Sequence, residues 1–349
     1  MHETARWSRR PEGSNWGEFG ADDECGRLNL LTPAKVLQGI AEVREGRTFC
    51  LSLPLDYPGG NVLNPRRFPP VRLATNRGGT ANYVYPLSRE DPAWTDVVCD
   101  DKVVLHTQYS TQWDALSHVG TAFDADGDGR AEAVFYNGWR GGEHVLGPPA
   151  AADGEGTHGA FEGVEAKRLG IERMAERCVQ GRGVMVDLHA HLGVERVLVG
   201  YDGLMRVMEA DRVEVESGDM LCLHTGFAAE LLTMGRQPDE RVHAMCAALD
   251  GRDQRLLRWI TDSGIAVLIA DNYAVEAVPA RPGEGAHHPA MPLHEHCLVK
   301  LGVHLGEIWY LTELADYLRA AGRSRFLLTA PPLRLPGAVG SPATPVATV

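Results

Sequence analysis

The strongest constraint on how this chain can fold is the interleaving of short apolar runs with stretches of helical spacing. "TFCLSLPL", "KVVLHTQ", "GVMVDL", "DMLCLHTG", "IAVLIADN" and "RFLLTAPPL" are rich in Val, Leu and Ile and read as buried strands. Helices are expected at "VEAKRLGIERMAERC", "YDGLMRVMEA", "RDQRLLRWITDSG" and "LTELADYLRAAG". The first helix is the best punctuated. In "LTPAKVLQGIAEVREG", Thr32 is a good N-cap, Pro33 fits the first helical position, Val36, Ile40 and Val43 recur at helical spacing, and Gly46 stops the run. Strands mixed with helices along the whole length predict an α/β chain. Nothing marks a firm internal boundary. The expectation is one domain over residues 1–349, with an N-terminal extension over about 1–30 and a loop-rich middle over about 60–165.

Charge narrows the partners. The net charge of −13, with Arg and Lys scattered, repels phosphate backbones and argues against nucleic acid. No stretch approaches 18 apolar residues, so no transmembrane helix is expected, and the opening "MHETARWSRRPEGSNWGEFG" lacks the apolar segment of a secretory signal. The 7 cysteines are an odd number, widely spaced and without a CxxC pair, which points to reduced thiols in a cytoplasm rather than to disulfides or a Cys-ligated zinc. A small-molecule substrate is the expected partner.

Two clusters carry candidate chemistry. In "QYSTQWDALSH", Gln108, Gln112 and Asp114 fall at i, i+4 and i+6, with His118 close behind. A helix brings Gln108 and Gln112 together, whereas extended backbone puts Gln108, Gln112 and Asp114 on one face. Asp114 is a natural metal ligand, the glutamine oxygens are weaker neutral ones, and His118 is either a ligand or a general base. On spacing alone the stretch is a polar turn or a site. The second cluster, "MPLHEHCLVKLGVHLGEIWYLTELA", offers His294, His296, His304 and Glu307, which can close a metal site with Asp114.

Weaker signals remain. "DADGDGRAE" begins like a calcium loop but has Phe135 at position 12, and reads as a solvated turn. His158 in "GTHGAFEG" and His224 in "HTGF" are candidate substrate contacts, His189 and His191 read as local structure, and Asp271, Asn272 and Glu276 can line the same cleft. Trp113, Tyr136 and Trp309 are candidate walls for an aromatic or polyketide-like substrate. There is no GxSxG, P-loop or GxGxxG, and Ser117 lacks the context of a nucleophile elbow.

These residues carry a resemblance. The stretch from Gln108 to His118 is similar to H-x-G-T-H-x-D-x-P-x-H, the signature of the cyclase family of metal-dependent hydrolases, which includes kynurenine formamidases and isatin hydrolases. Thr111, Asp114 and His118 match in register; Gln108 and Gln112 stand where the family has histidine, Ser110 where it has Gly, and Leu116 where it has Pro. A longer "TQWDxLxH" branch resembles most of the chain, through "WGEFGADDECGRLNLLTP", "FYNGW", "GRGVMVDL", "GDMLCLHTGF", "ADNYAVEAVP", "LGVHLGEIWYLTELA" and "PPLRLPGAVGSPATPVA" in order.

The resemblance implies a compact α/β domain around a swivelling, partly barrel-like β-sheet with flanking helices, assembled as a homodimer or homotetramer. It implies one or two divalent ions, manganese or zinc, held by positions 108, 112 and 114 with His294 and Glu307; His296 is a rival for His294. Asp114, His118 and Glu307 become the catalytic groups, with His118 as general base or acid. The implied activity is opening of a cyclic amide, lactone or aryl formamide by activated water. The glutamines shift the expected metal from zinc toward manganese or magnesium, or toward one ion or none. Two alternatives stay open: a metal-free cyclase, isomerase or dehydratase of secondary metabolism using Asp114, His118 and Glu307 as acid–base groups, and a non-catalytic binding protein.

Overall fold

Most of the apolar runs assemble into one curled, half-barrel sheet of nine strands in the computed structural model, which describes residues 6–148 and 161–349. In chain order the strands are β1 (Thr48–Cys50), β2 (Gln112–Asp114), β3 (Gln180–Asp187), β4 (Met220–His224), β5 (Val267–Ala270), β6 (His304–Glu307), β7 (Arg325–Thr329), β8 (Gly340–Pro342) and β9 (Val346–Thr348). Their order across the sheet is β1-β9-β7-β3-β4-β5-β6-β2-β8. The pairs β3–β4, β4–β5 and β5–β6 are parallel, and β2 lies antiparallel between β6 and β8.

The parallel strands are buried on both faces, which is why they read as continuous apolar runs. Alternate residues divide between two cores. Val184, Val186, Leu221, Leu223, Leu268 and Leu305 face one core, filled by Leu204 and Val207 of helix Tyr201–Ala210 and by Leu256 and Ile260 of helix Gln254–Ser263. Met185, Met220, Cys222, Val267 and Ile269 face the other, with Leu314 and Leu318 of helix Thr312–Ala320.

The expected first helix forms over Pro33–Ala41, with Thr32 Oγ1 accepting from the Lys35 amide. It lies so close to β3 that a Cβ on Gly39 would sit 2.6 Å from the Gly181 carbonyl. Lys35 extends from this helix to Asp219 (2.8 Å), which Arg182 of β3 grips through two hydrogen bonds of 2.9 Å.

Three expectations change. "KVVLHTQ" is not a core strand: Asp101–Val104 pairs with Val71–Ala74 in a projecting ribbon, leaving Val103 46% and Val104 58% exposed. Of "TFCLSLPL", only Thr48–Cys50 joins the sheet. The helix read in "VEAKRLGIERMAERC" shrinks to Ile171–Glu176, because Leu169 adopts φ +62° and breaks the helical path. No helix among the described residues is long and apolar enough to cross a membrane.

Candidate functional site

Strand β2 sets the site. Residues alternate across a strand, so Gln112 and Asp114 face one side and Trp113 the other. Trp113 goes into the core, edge-on to Trp309 with ring centroids 5.0 Å apart, and its indole donates to the Ala330 carbonyl (2.8 Å). Across the β2–β6 ladder Gln112 pairs with Glu307, and its side-chain amide donates to Glu307 Oε2 (2.9 Å). On the other side Gly340 pairs with Asp114; a Cβ there would lie 2.4 Å from Gln108 Nε2, so a larger residue would push that side chain out of its place.

His294 comes from the short helical turn Pro292–His294, which runs into a π-helical segment, Glu295–Leu301. Such segments recur at functional sites because they redirect side chains. Buried Glu276 fixes the ring: it accepts from the Leu293 and His294 amides (3.1 and 2.9 Å) and pairs with His294 Nδ1 (2.7 Å). His294 Nε2 then lies 3.2 Å from Glu307 Oε1 and 3.9 Å from Asp114 Oδ2. His118 stands on the fourth side, its Nε2 3.8 Å from Asp114 Oδ1 and its Nδ1 3.3 Å from Gln108 Nε2.

Asp114 is fully buried, and among the described residues neither of its carboxylate oxygens has a hydrogen-bond partner; Gln112 Oε1 is buried and unpartnered among them too. Burial, then the neighbouring Glu307, push the Asp114 carboxyl well above its ordinary range. Burial opposes charge on His294 as well, but its hydrogen bonds to Glu276 and Glu307 carry it up to about 10. The same contact outweighs burial at Glu307 and holds its carboxyl low. Burial lowers His118 to about 4, so it is a neutral imidazole at pH 7. Arg67 adds a positive field that favours ionised Asp114 and Glu307.

Gln108, Gln112, Asp114, His118, His294 and Glu307 therefore converge. The other candidates do not join them. His296 points to Thr261 Oγ1 (3.0 Å), so of the rivals His294 and His296 it is His294 that faces Asp114. His224 has its own buried network, with Asp187 at 2.8 Å and Thr312 at 3.2 Å. Asp271 caps the turn after β4 by accepting from Thr225 and Gly226, and Asn272 donates to the Ala247 carbonyl. Trp113, Trp309 and Tyr136 are each 0% exposed and pack as core, which corrects their reading as substrate walls. Ser117 donates to the Leu169 carbonyl. His158 lies outside the described residues. Asp124, Asp126 and Asp128 spend oxygens on backbone amides of their own turn. Arg67, in the Pro-rich "NPRRFPP", carries no sequence signal that points here.

Three of the gathered groups, Asp114, His294 and Glu307, hold donor atoms within 4.8 Å of one another, all buried. Known proteins share the architecture. A crystal structure described as a novel cyclase superposes with a TM-score of 0.72 at 30% identity, over 96% of this chain and 97% of that one. Isatin hydrolase A from Labrenzia aggregata, bound to benzyl benzoate, superposes at 0.53 with 14% identity, over 90% of this chain and 97% of that one. Isatin hydrolase A from Ralstonia solanacearum gives 0.53 at 15% identity over the same shares. These two likenesses show the fold alone. No curated protein matches the chain. The profile of a family described as "Putative cyclase" matches residues 63–277, well over half of the sequence and including Gln108, Gln112, Asp114, His118 and Glu276. With that match and a full-length relative at 30% identity, the chain belongs to the cyclase family.

Proposed function

We propose that this protein is a metal-dependent hydrolase that opens a cyclic amide, a lactone or an aryl formamide. One observation carries the reading: Asp114, fully buried, presents two unpartnered carboxylate oxygens toward His294 and Glu307. An isolated buried charge is expensive, and a cation at that point offsets it. The residues fit such an ion. Asp114, Glu307 and His294 would hold it, with Gln112 Oε1 as a further free oxygen. This set has more oxygen than nitrogen, which favours manganese or magnesium over zinc.

A bound divalent cation supplies Lewis-acid polarisation of a carbonyl and a more acidic water. The chain's own groups do the rest. Gln108 Oε1 accepts from the Thr107 hydroxyl (2.8 Å), which turns its amide N–H toward His118 Nδ1. The neutral His118 ring then carries its proton on Nε2, the atom facing Asp114. In this tautomer the His118 Nε2–H donates a hydrogen bond to an oxygen or nitrogen placed beside Asp114 and so stabilises charge that develops there. Glu276 keeps the His294 ring from turning, and Gln112 does the same for Glu307. The reading includes a cytoplasmic setting, to which free cysteines are suited, and assembly into a homodimer or homotetramer.

The test is elemental analysis of untagged protein purified without chelator, followed by a lactone, cyclic amide and formanilide panel. We expect one or two equivalents of metal, lost in Asp114→Ala, and turnover of at least one class. Absence of metal after incubation with Mn and Zn, together with no hydrolysis, rejects the reading. One contact favours a metal-free alternative. Glu276, His294, Glu307 and Gln112 already form a continuous hydrogen-bonded chain, which is competent for acid–base chemistry as it stands.

A further inference from the structure

Access to the buried groups of the site runs past His118. Its side chain is 21% exposed, against 1% for Asp114, 3% for His294 and 4% for Glu307. Two hollows adjoin it among the described residues. The one on the Gln108 side, beside Arg67, encloses about 10 Å³, room for a water and nothing larger. The other is a cleft of about 500 Å³ whose lining begins at Val119, the residue after His118. That is the size of a small-molecule pocket.

Both walls of this cleft continue from histidines of the site. One wall is the stretch 119–122, directly after His118; the other is the stretch 287–291, which leads into the turn Pro292–His294. The first wall is backed by the pairing of Thr121–Phe123 with Glu132–Val134. The second is folded on itself, with the His288 ring where a Cβ on Gly283 would sit. Thr121 Oγ1 donates to Glu295 Oε1 (3.2 Å) and ties the walls together.

The lining decides what the cleft takes. Val119, Ala122, Ala290 and Met291 are apolar, and no Lys or Arg is among the described residues that line it. Its one carboxylate, Glu295, is occupied by Thr121 and by Lys300 Nζ (3.6 Å). A ligand carboxylate would meet no free cation there, and the site behind His118 already holds Asp114 and Glu307. A methionine side chain adapts to the edge of a ring.

We propose that this cleft takes the non-reacting part of the substrate, a neutral, apolar group of on the order of two aromatic rings. Val119, Ala122, Ala290 and Met291 are then specificity-determining residues. The proposal rests on the hydrolase reading for the bond that breaks: the carbonyl reacts beside Asp114 and His118, while the rest of the molecule lies along 119–122.

The probes are 4-fluoroformanilide, the longer N-(4′-fluorobiphenyl-4-yl)formamide and the anion 4′-fluorobiphenyl-4-carboxylate. Each is titrated by fluorine NMR against chelator-treated protein, and hydrolysis of the two formamides is followed with Mn-loaded protein. We expect the biphenyl formamide to bind at least about tenfold more tightly than 4-fluoroformanilide, as burial of a further ring predicts, and more tightly than the carboxylate. Ala122 and Ala290 are both exposed, so Ala122→Trp and Ala290→Trp fill the cleft from its surface. Either should bring the biphenyl formamide down to the level of 4-fluoroformanilide; thermal melts accompany both, and a variant that melts early leaves the decision to the other. Equal binding of the two formamides, a carboxylate that binds as tightly as its formamide, or a size preference untouched in the folded Trp variants overturns the proposal. Absent hydrolysis with the size preference intact and abolished by Trp counts against the hydrolase reading alone. Hydrolysis with equal binding of the two formamides counts against the apolar cleft alone.

Discussion

Replacing Asp114 by Asn should stabilise the metal-free protein while destroying its response to metal. Asp114 is fully buried and both carboxylate oxygens lack partners among the described residues, so ionisation there goes uncompensated by their hydrogen bonds. A buried ion of this kind costs several kcal/mol after relaxation. His294, 3.9 Å away and held protonated by Glu276 and Glu307, offsets part of that. An amide in the same place still lacks partners, at about 1–3 kcal/mol. The net gain for Asp114→Asn in chelator at pH 7 is then about 1–3 kcal/mol, or roughly 2–6 °C in melting temperature for a chain of this size.

The pH dependence has a definite sign. The folded-state pKa of Asp114 is raised, so its protonated form favours folding. That contribution is complete below the unfolded value of about 3.9 and is lost as the pH rises through the folded value. Wild type and variant should therefore melt together near pH 4 and diverge toward neutrality. Adding Mn at about a hundred times its Kd should raise wild type by about 2.7 kcal/mol and leave the variant unmoved. Differential scanning calorimetry in chelator and in Mn reads all of this. An Asp114→Asn protein that melts below wild type in chelator at pH 7, or that gains as much from Mn, refutes the argument that Asp114 is an uncompensated charge awaiting a cation.

Glu276→Gln removes the carboxylate that orients His294 and should lower Mn affinity about 10–100-fold by titration calorimetry, with the melting temperature recorded alongside. Trp113→Ala should cost about 3–5 kcal/mol in urea unfolding, because Trp113 is a core residue; near-normal stability with an altered KM would restore it to the substrate wall. The ribbon around residues 70–105 exposes Val71, Leu73, Val84, Trp94, Val97 and Val104, an apolar surface that the described residues leave open. Light scattering should find two or four copies, and Val84→Glu with Trp94→Ser should shift the protein toward monomer.

The parallel core was legible because its strands bury both faces, so "GVMVDL", "DMLCLHTG" and "IAVLIADN" are apolar at nearly every position. The same criterion misplaced "KVVLHTQ". An apolar run records that a surface wants covering, not which molecule covers it, and the described residues leave Val103 and Val104 about half exposed. The long helix expected before Gln180 failed for a local reason, the positive φ of Leu169, which residue identity does not announce. In the site, Asp114, His118, His294 and Glu307 could be picked out because their side-chain chemistry is scarce and their spacing resembles a known signature. Glu276 was visible only as one polar residue among several after a strand, and Arg67 not at all. Both act by position: one lies behind His294, and the other faces a crevice made by residues 58–67 and Gln108.

The two glutamines make physical sense once their partners are known, and they define the chemistry open to the site. Gln112 sits across the ladder from Glu307 and uses its amide nitrogen to hold Oε2, so one end of the side chain is structural and only Oε1 faces the cluster. An imidazole there can offer a nitrogen ligand or hold Glu307; the amide does both at once, but with a hard oxygen as its free atom. Gln108 divides itself the same way, with its oxygen on Thr107 and its nitrogen on His118. That second amide is spent on choosing the His118 tautomer rather than on a cation. The substitutions thus leave one nitrogen donor, on His294, among carboxylate and amide oxygens, and they transfer the lost donor capacity to orienting Glu307 and His118. A site built this way would suit a hard cation better than zinc, and its fixed acid–base partners would carry the remainder of the chemistry.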